Sequence, residues 1–114
     1  MTERLRRELG TIAGSAGPHA DAARTALGDG PLEHRLDAAI RALAGHRGPR
    51  SSTCPSDAAR AVGGEHWRAA MDEARDIARR LARDGLVEIT QRGDVLDPDA
   101  QWRGPIRIRA ARLP

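Results

Sequence analysis

The chain has 114 residues and a formal net charge of +3 at pH 7, a length that fits one domain and a short tail. Its single cysteine excludes an intramolecular disulfide. No apolar run reaches the length of a membrane span, so we expect a soluble, cytoplasmic bacterial protein without a membrane partner. All 19 basic residues are arginine. A GC-rich genome explains that bias, and net charge alone is weak evidence for a nucleic-acid partner.

Residues 1–30 differ in pattern from the rest of the chain and are set apart as an N-terminal arm. Leu5, Leu9 and Ile12 recur at helical spacing between charged residues, which predicts a short amphipathic helix. Glycine and proline break the chain at 14–18, and a weaker helix follows at 19–27. Two interpretations stay open: a frayed tail, which we favour, and a helix that folds against a partner.

Three helices are predicted after residue 30. Pro31 begins the first, which ends at Gly45 or Gly48, and Pro55 begins the second, which runs to Val62. The segment between them is extended and is interpreted as a possible short strand. After a Gly63-Gly64 turn, apolar residues at helical spacing predict one long third helix over Glu65–Asp84, with Trp67 in its buried stripe.

The C-terminal third has strand character. Residues 86–91 and 94–96 read as two strands joined by an Arg92-Gly93 turn, and alternation at 106–109 marks a last strand. Gly85 occupies the position where a left-handed residue ends a helix. The element order predicts a mainly α fold with a small β-hairpin, of the α+β class. It is the order of a winged helix-turn-helix domain over residues 31–114.

Several short motifs lie between Ser52 and residue 110: Cys54–Arg60 (Cys-Pro-Ser-Asp-Ala-Ala-Arg), Trp67-Arg68, Arg75, Gln91-Arg92-Gly93, Asp97-Pro98 and Gly104-Pro105-Ile106-Arg107. Together they resemble the bacterial family catalogued as domain of unknown function 3253. The resemblance implies a winged-helix fold and implies no activity. Residues 1–30 lie outside it.

The third predicted helix is a candidate DNA reader. Arg68, Arg75 and Arg79 fall on one stripe away from Trp67, where guanidinium groups can contact phosphates or guanine edges. The same helix carries five arginines and five acidic residues, however. Pairs such as Arg68–Asp72 favour the alternative of a solvated, self-paired face.

The C-terminal segment is the stronger electrostatic candidate. Its arginines have no acidic residue among them, and Arg92 lies at the predicted hairpin tip. The alternative is that these charges only protect an edge strand from aggregation. With Arg60 on the second helix, the candidate nucleic-acid-binding residues are Arg60, Arg68, Arg75, Arg79, Arg92, Arg103, Arg107 and Arg109, and Arg112 extends the segment.

Other chemistry has weaker support. Cys54 precedes a helix start, where a thiol pKa can fall, and His66 is the nearest candidate base, yet no third residue orients such a pair. The four histidines show no metal-ligand spacing, and no glycine-rich phosphate loop is present. We therefore expect no catalytic residue, metal, cofactor or small-molecule ligand. We expect Trp102 to fold back over the hairpin, and the alternative is exposure at a partner surface.

Two functional hypotheses follow. The first is a non-enzymatic winged-helix protein that binds double-stranded DNA through helix 65–84 and the arginine-bearing hairpin. The second is a protein-interaction module without DNA binding, which pairs with itself or another protein through the N-terminal helix. A small enzyme or redox sensor built on Cys54 is the least favoured reading.

Overall fold

The structure, a computed structural model, describes residues 2–111. Its α-helices are α1 (Thr2–Ala13), α2 (Ala20–Leu27), α3 (Leu32–Arg47), α4 (Pro55–Gly63) and α5 (Met71–Arg83), with a 3-10 helix at Gly64–Ala70. Its strands are β1 (Val87–Gln91), β2 (Asp94–Val95) and β3 (Arg107–Ala110). The strands form one antiparallel sheet in the order β2-β1-β3. The predicted α+β class is therefore confirmed, and Arg112 lies outside the described residues.

Local sequence signals fix most helix ends. Pro31 immediately precedes α3, and Pro55 is the first residue of α4, where its missing N–H leaves no helical hydrogen bond unmade. Gly48, with φ at 79°, ends α3, and Gly85, with φ at 76°, follows α5. Glycine adopts this left-handed backbone without the steric cost of a side chain.

The extended segment before α4 joins the edge of the sheet. Thr53 and Ile108 exchange two backbone hydrogen bonds of 2.7 Å each. Ile108 is paired with Ile89 on its other side, and all three side chains are buried. This single bridge ties the start of α4 to β3. The predicted extended segment at 51–54 therefore pairs with the sheet at one residue only and does not form a strand.

Residues 2–27 share one hydrophobic core with the rest of the chain. α1 is the amphipathic helix that its pattern predicts, and Leu5, Leu9 and Ile12 are buried with Leu36 and Leu43 of α3. The Arg6 guanidinium donates a 2.8 Å hydrogen bond to the carbonyl of Ala61 in α4. The apolar face of α1 is thus covered by the chain itself, rather than forming a frayed tail.

A half-buried ion cluster fastens α1 to the centre of the molecule. Arg47, near the end of α3, contacts the Glu8 carboxylate in α1 and the Asp57 carboxylate in α4. It also donates a 2.9 Å hydrogen bond to the carbonyl of Ser52. The Thr53 hydroxyl donates a 2.8 Å hydrogen bond to the Asp57 carboxylate. Every member therefore has a partner, which half-buried charges require.

The single long helix predicted over Glu65–Asp84 is wrong in its first turns. Residues 64–70 form a 3-10 helix, His66 has non-helical angles, and α5 begins at Met71. Gly64 has φ at 59°, so the chain turns sharply there. The tighter 3-10 turn folds Trp67 back on α4, where a Cβ atom at Gly63 would lie 3.6 Å from Trp67 Cβ. Apolar spacing alone cannot distinguish the two helix types.

None of the helices within residues 2–111 is both long and apolar enough to cross a bilayer.

Candidate nucleic-acid interface

A row of arginines on α5 is covered by the chain's own loop. Arg75, Arg79 and Arg83 follow each other every four residues and so share one face of the helix. We call them the α5 arginine row, and we call residues 97–104, between β2 and β3, the strap. Arg79 donates to the carbonyls of Pro98 and Ala100, the latter at 2.6 Å, and Arg83 pairs with Asp99.

Trp102 completes the packing of the strap. Its ring centroid lies 4.0 Å from Arg79 Cζ and 6.0 Å from Arg75 Cζ, within the range of cation–π attraction. Its indole N–H donates a 3.0 Å hydrogen bond to the carbonyl of Asp97. The side chain is half-buried against the core, as the fold-back interpretation expects. Two candidate DNA readers, Arg75 and Arg79, therefore hold the strap in this structure.

The hairpin tip presents two exposed positive charges among the candidates. Arg92 and Arg103 line an open groove of about 390 Å³ together with Gln91, Gly104 and Pro105. The Gln91 amide donates hydrogen bonds to the carbonyls of Arg103 and Pro105, and so joins the β1–β2 turn to the end of the strap. Both arginines are exposed, and within residues 2–111 neither guanidinium has a hydrogen-bond or ion-pair partner.

The tip lies beside the N-terminal half of α5. Arg75 Nη1 is 3.4 Å from the carbonyl of Gly104, the residue that follows Arg103. Arg83, near the other end of α5, contacts Asp99 instead. The strap therefore runs antiparallel to α5, and Arg92 and Arg103 come to the side of the molecule where α5 begins.

A second arginine cluster surrounds Trp67 just before α5. Arg60 Cζ lies 4.4 Å and Arg68 Cζ 4.5 Å from the centroid of its ring. The indole is half-buried, so the prediction of a core residue is correct for only part of its surface. Stacking on a ring fixes the plane of a guanidinium and leaves its N–H edges able to donate. Arg68 thereby leaves the stripe that sequence spacing predicts for it.

The remaining two candidates support the sheet. Arg107 on β3 donates to the hydroxyl and the carbonyl of Ser52, at 2.8 and 3.0 Å. Arg109 pairs with Glu88 on the neighbouring strand at 2.8 Å. A cross-strand pair such as Arg109–Glu88 stabilises a sheet and compensates the charge of Arg109. The hydrogen bonds of Arg107 to Ser52 hold its guanidinium against the sheet. The structure thus divides the eight predicted residues between the hairpin tip, the Trp67 cluster, the strap contacts and the sheet.

Acidic side chains limit what the exposed face of α5 can do. Asp72 and Asp76 are exposed on this helix, one turn apart. A phosphate placed over them would meet like charge. The middle of α5 is therefore a poor surface for a polyanion. The arginines at the hairpin tip and around Trp67 have no carboxylate paired with them in the described residues.

The thiol and the histidines form no site with each other. Cys54 Sγ lies 3.0 Å from the hydroxyl of Ser56, and His66 is exposed on the 3-10 helix. Over the described part of the chain, no group of three or more His, Cys, Asp or Glu side chains could hold a metal ion.

Sequence reasoning missed the ion cluster around Asp57. Burial by itself would raise the pKa of the Asp57 carboxyl, but hydrogen bonds from Thr53 and Cys54, with the charge of Arg47, hold that pKa below its usual value. The available signal was an aspartate directly before the apolar pair Ala58-Ala59 in a short helix. The charged partner of Asp57 is Arg47, ten residues earlier, and Arg47 in turn binds Glu8, 39 residues before it. Helical periodicity does not reveal pairs at such separations.

Comparison with known proteins supports the resemblance found in the motifs. None of the curated proteins compared with the chain matches it. The family model described as a protein of unknown function (DUF3253) matches residues 33–111, from the first turn of α3 to the end of the described chain. The match spans well over half of the sequence and includes both arginine clusters, so this chain belongs to the DUF3253 family.

Proposed function

We propose that this protein is a winged-helix protein that binds double-stranded DNA, with the tip of the hairpin as its main contact. The observation that carries the proposal is the pair Arg92 and Arg103. Two exposed guanidinium groups line one open groove and are not engaged elsewhere in the described chain. Phosphate contacts need positive charge without a compensating carboxylate, and this tip offers it.

The order of elements supports the winged-helix part of the proposal. α3, the Thr53 bridge, α4, α5, β1 and β3 follow each other in the order of that fold. In this interpretation α5 is the helix that DNA-binding relatives of the fold place in the major groove, and residues 92–106 are the wing. The fold itself hosts many functions, so the site has to carry the functional argument.

The backbone at Arg92 supplies a second, independent argument. Arg92 has φ at 54°, and Gly93 follows with φ at 86°. A two-residue hairpin turn with both φ angles positive favours asparagine or glycine at its first position. An arginine there costs stability, and strained residues concentrate at functional sites. The strain is consistent with a side chain retained for its charge.

The location of the two arginine clusters fits one duplex. The tip lies beside Arg75 in the first half of α5, and Arg68 lies in the 3-10 helix that leads directly into α5. We infer that both clusters contact phosphates of the same duplex. Asp72 and Asp76 lie between them, so we propose backbone contacts at the edges rather than base reading by the middle of α5.

The rival hypothesis, pairing with a partner through the N-terminal helix, has less support from the packing of α1. Leu5, Leu9 and Ile12 are all at most 1% exposed in the chain's own core. What α1 presents outward is charged, with Arg4 and Arg7 among its exposed residues.

A paired-variant titration tests the proposal. Arg92→Ala/Arg103→Ala removes the tip charges, and Arg4→Ala/Arg7→Ala removes two exposed charges from α1. We expect the tip variant to lose about tenfold or more in affinity for a labelled random duplex at low salt, because it removes two phosphate contacts. The α1 variant should bind nearly as the native chain does. Equal losses of affinity in the two variants would show that binding depends only on net charge, and would contradict a contact at the tip.

A further inference from the structure

The strap offers the α5 arginine row the same kinds of group that a nucleic-acid strand would offer. A carboxylate from Asp99 meets Arg83, and carbonyl oxygens of Pro98, Ala100 and Gly104 meet Arg79 and Arg75. These oxygen acceptors lie at positions 98, 99, 100 and 104, and the first three belong to a turn that the Ala100 N–H closes on the carbonyl of Asp97. Phosphate oxygens bind guanidinium groups with the same hydrogen-bond chemistry.

Trp102 adds a flat ring to this set of acceptors. It is stacked on the Arg79 guanidinium at 4.0 Å from Cζ to the ring centroid. In single-stranded nucleic acids, unpaired bases stack on arginine planes and on aromatic rings in this manner. A duplex keeps its bases stacked inside, so the ring favours a single strand over a duplex as the ligand that the strap imitates.

We propose that the α5 arginine row is a binding site for single-stranded nucleic acid, and that the strap occupies it as an intramolecular stand-in. The site opens when the strap moves away from α5. This inference goes beyond the duplex contact at the hairpin tip, since it concerns a different set of arginines and a different form of nucleic acid.

The contacts at the two ends of the α5 arginine row are weak, and the two Arg79 hydrogen bonds with the Trp102 stack hold the middle of the strap. The side chains of Arg83 and Asp99 are 51% and 68% exposed, and ion pairs at such sites contribute little. The Arg75 contact with Gly104 is long, at 3.4 Å, and Trp102 is only half-buried. The strap connects β2 to β3, and each of these strands is paired with β1, so the sheet stays in place if the strap opens. A competing polyanion therefore has chiefly the two Arg79 hydrogen bonds and the Trp102 stack to displace.

Two strap variants of the full chain test the proposal. In the first, Asp97–Trp102 is replaced by six alternating glycine and serine residues, which keeps the loop length and Arg103. The second carries only Asp99→Asn and Trp102→Ala, in case the first does not fold. Circular dichroism establishes the fold of each. The probe is a labelled oligothymidylate strand, followed by fluorescence anisotropy.

We expect either strap variant to bind the oligothymidylate about tenfold more tightly than the native chain, which corresponds to the gain of a single stacked base. Adding Arg75→Ala, Arg79→Ala and Arg83→Ala to the strap variant should abolish that gain, whereas adding Arg4→Ala and Arg7→Ala should preserve it. An unchanged affinity in both strap variants overturns the proposal, and so does a gain that survives loss of the arginine row. Duplex binding through Arg92 and Arg103 is measured separately, so its failure would be distinguishable.

Discussion

Arg47 and Glu8 form a two-point ion pair between α3 and α1. Arg47 Nη2 lies 2.7 Å from Glu8 Oε1, and Arg47 Nε lies 2.9 Å from Glu8 Oε2. The two side chains are 17% and 24% exposed, so the pair is partly shielded from water. Because it joins positions 39 residues apart, it fixes α1 against the DUF3253 core rather than against a neighbouring turn.

Removing the Glu8 carboxylate should destabilise the whole domain. We expect Glu8→Ala to lower the free energy of unfolding by about 1–3 kcal/mol, since it deletes two charge-assisted hydrogen bonds and leaves Asp57 as the only carboxylate partner of Arg47. Glu3→Ala, at an exposed position of the same helix, is the control and should change it by about 0.5 kcal/mol or less. Urea unfolding followed by circular dichroism measures both. Equal effects would show that Glu8 has no special role in anchoring α1.

The same cluster predicts loss of stability in acid. The Arg47 hydrogen bonds lower the pKa of Glu8 from its ordinary value of 4.5, and the pKa of Asp57 also lies below its ordinary 3.8. The unfolded chain therefore binds these protons first, and the stabilisation, complete above about pH 5, is lost as the pH falls through the folded-state values. Urea midpoints measured from pH 7 to pH 3 should decline more steeply for the native chain than for Glu8→Gln/Asp57→Asn. Parallel curves would contradict this assignment.

Two helical glycines should respond differently to alanine. A Cβ atom at Gly10 in α1 meets nothing within 4 Å, so Gly10→Ala should stabilise the protein by about 0.5–1 kcal/mol through helix propensity. A Cβ atom at Gly45 in α3 would lie 2.3 Å from His19 Cε1, and the ring must move. We expect Gly45→Ala to be less favourable than Gly10→Ala by about 1 kcal/mol.

The role of the His19 ring can be isolated with a double-mutant cycle. In a His19→Ala background, Gly45→Ala should recover the benefit seen at Gly10, because the ring that blocks it is gone. Thermal unfolding of the four proteins provides the measurement. An unchanged penalty in the His19→Ala background would assign the cost to the α3 backbone instead of the ring.

Arg92→Asn should separate stability from binding. Asparagine tolerates the positive φ of this turn, so the variant should gain about 1 kcal/mol of stability while it loses duplex affinity. Arg103→Asn removes the same charge from the same groove at a residue without a positive φ, and should lose affinity with no gain in stability. If Arg92→Asn is less stable than the native chain, the turn is not strained by its arginine.

Much of the fold could be predicted because its signals are local. Proline before α3 and at the start of α4, glycine after α5, and alternation in β1 and β3 each act within a few residues. The 3-10 helix could not be predicted, since the return of Trp67 depends on packing against α4, where Arg60 stacks on its ring. Apolar spacing at 65–84 is compatible with either helix type.

The sequence identified the candidate arginines, but it could not predict which groups each of them contacts. Exposed stripes and acid-free runs identify Arg75, Arg79 and Arg92 equally well from sequence. Only the structure shows that the first two contact a loop 19 to 29 residues further along the chain, while Arg92 faces solvent. Nonlocal contacts of this kind decide which charges remain available to a ligand, and they leave no periodic trace in the sequence.

The salt dependence of duplex binding tests the central proposal most directly. Anisotropy of a labelled random duplex, measured from low to physiological salt, reports the number of phosphates neutralised, with a logarithmic slope of about −0.9 for each. Contacts by Arg92, Arg103, Arg68 and Arg60 predict a slope between roughly −2 and −4, reduced in magnitude by about 2 in Arg92→Ala/Arg103→Ala. Absence of binding even at the lowest salt, or a slope that the tip variant leaves unchanged, would contradict DNA binding by the hairpin tip.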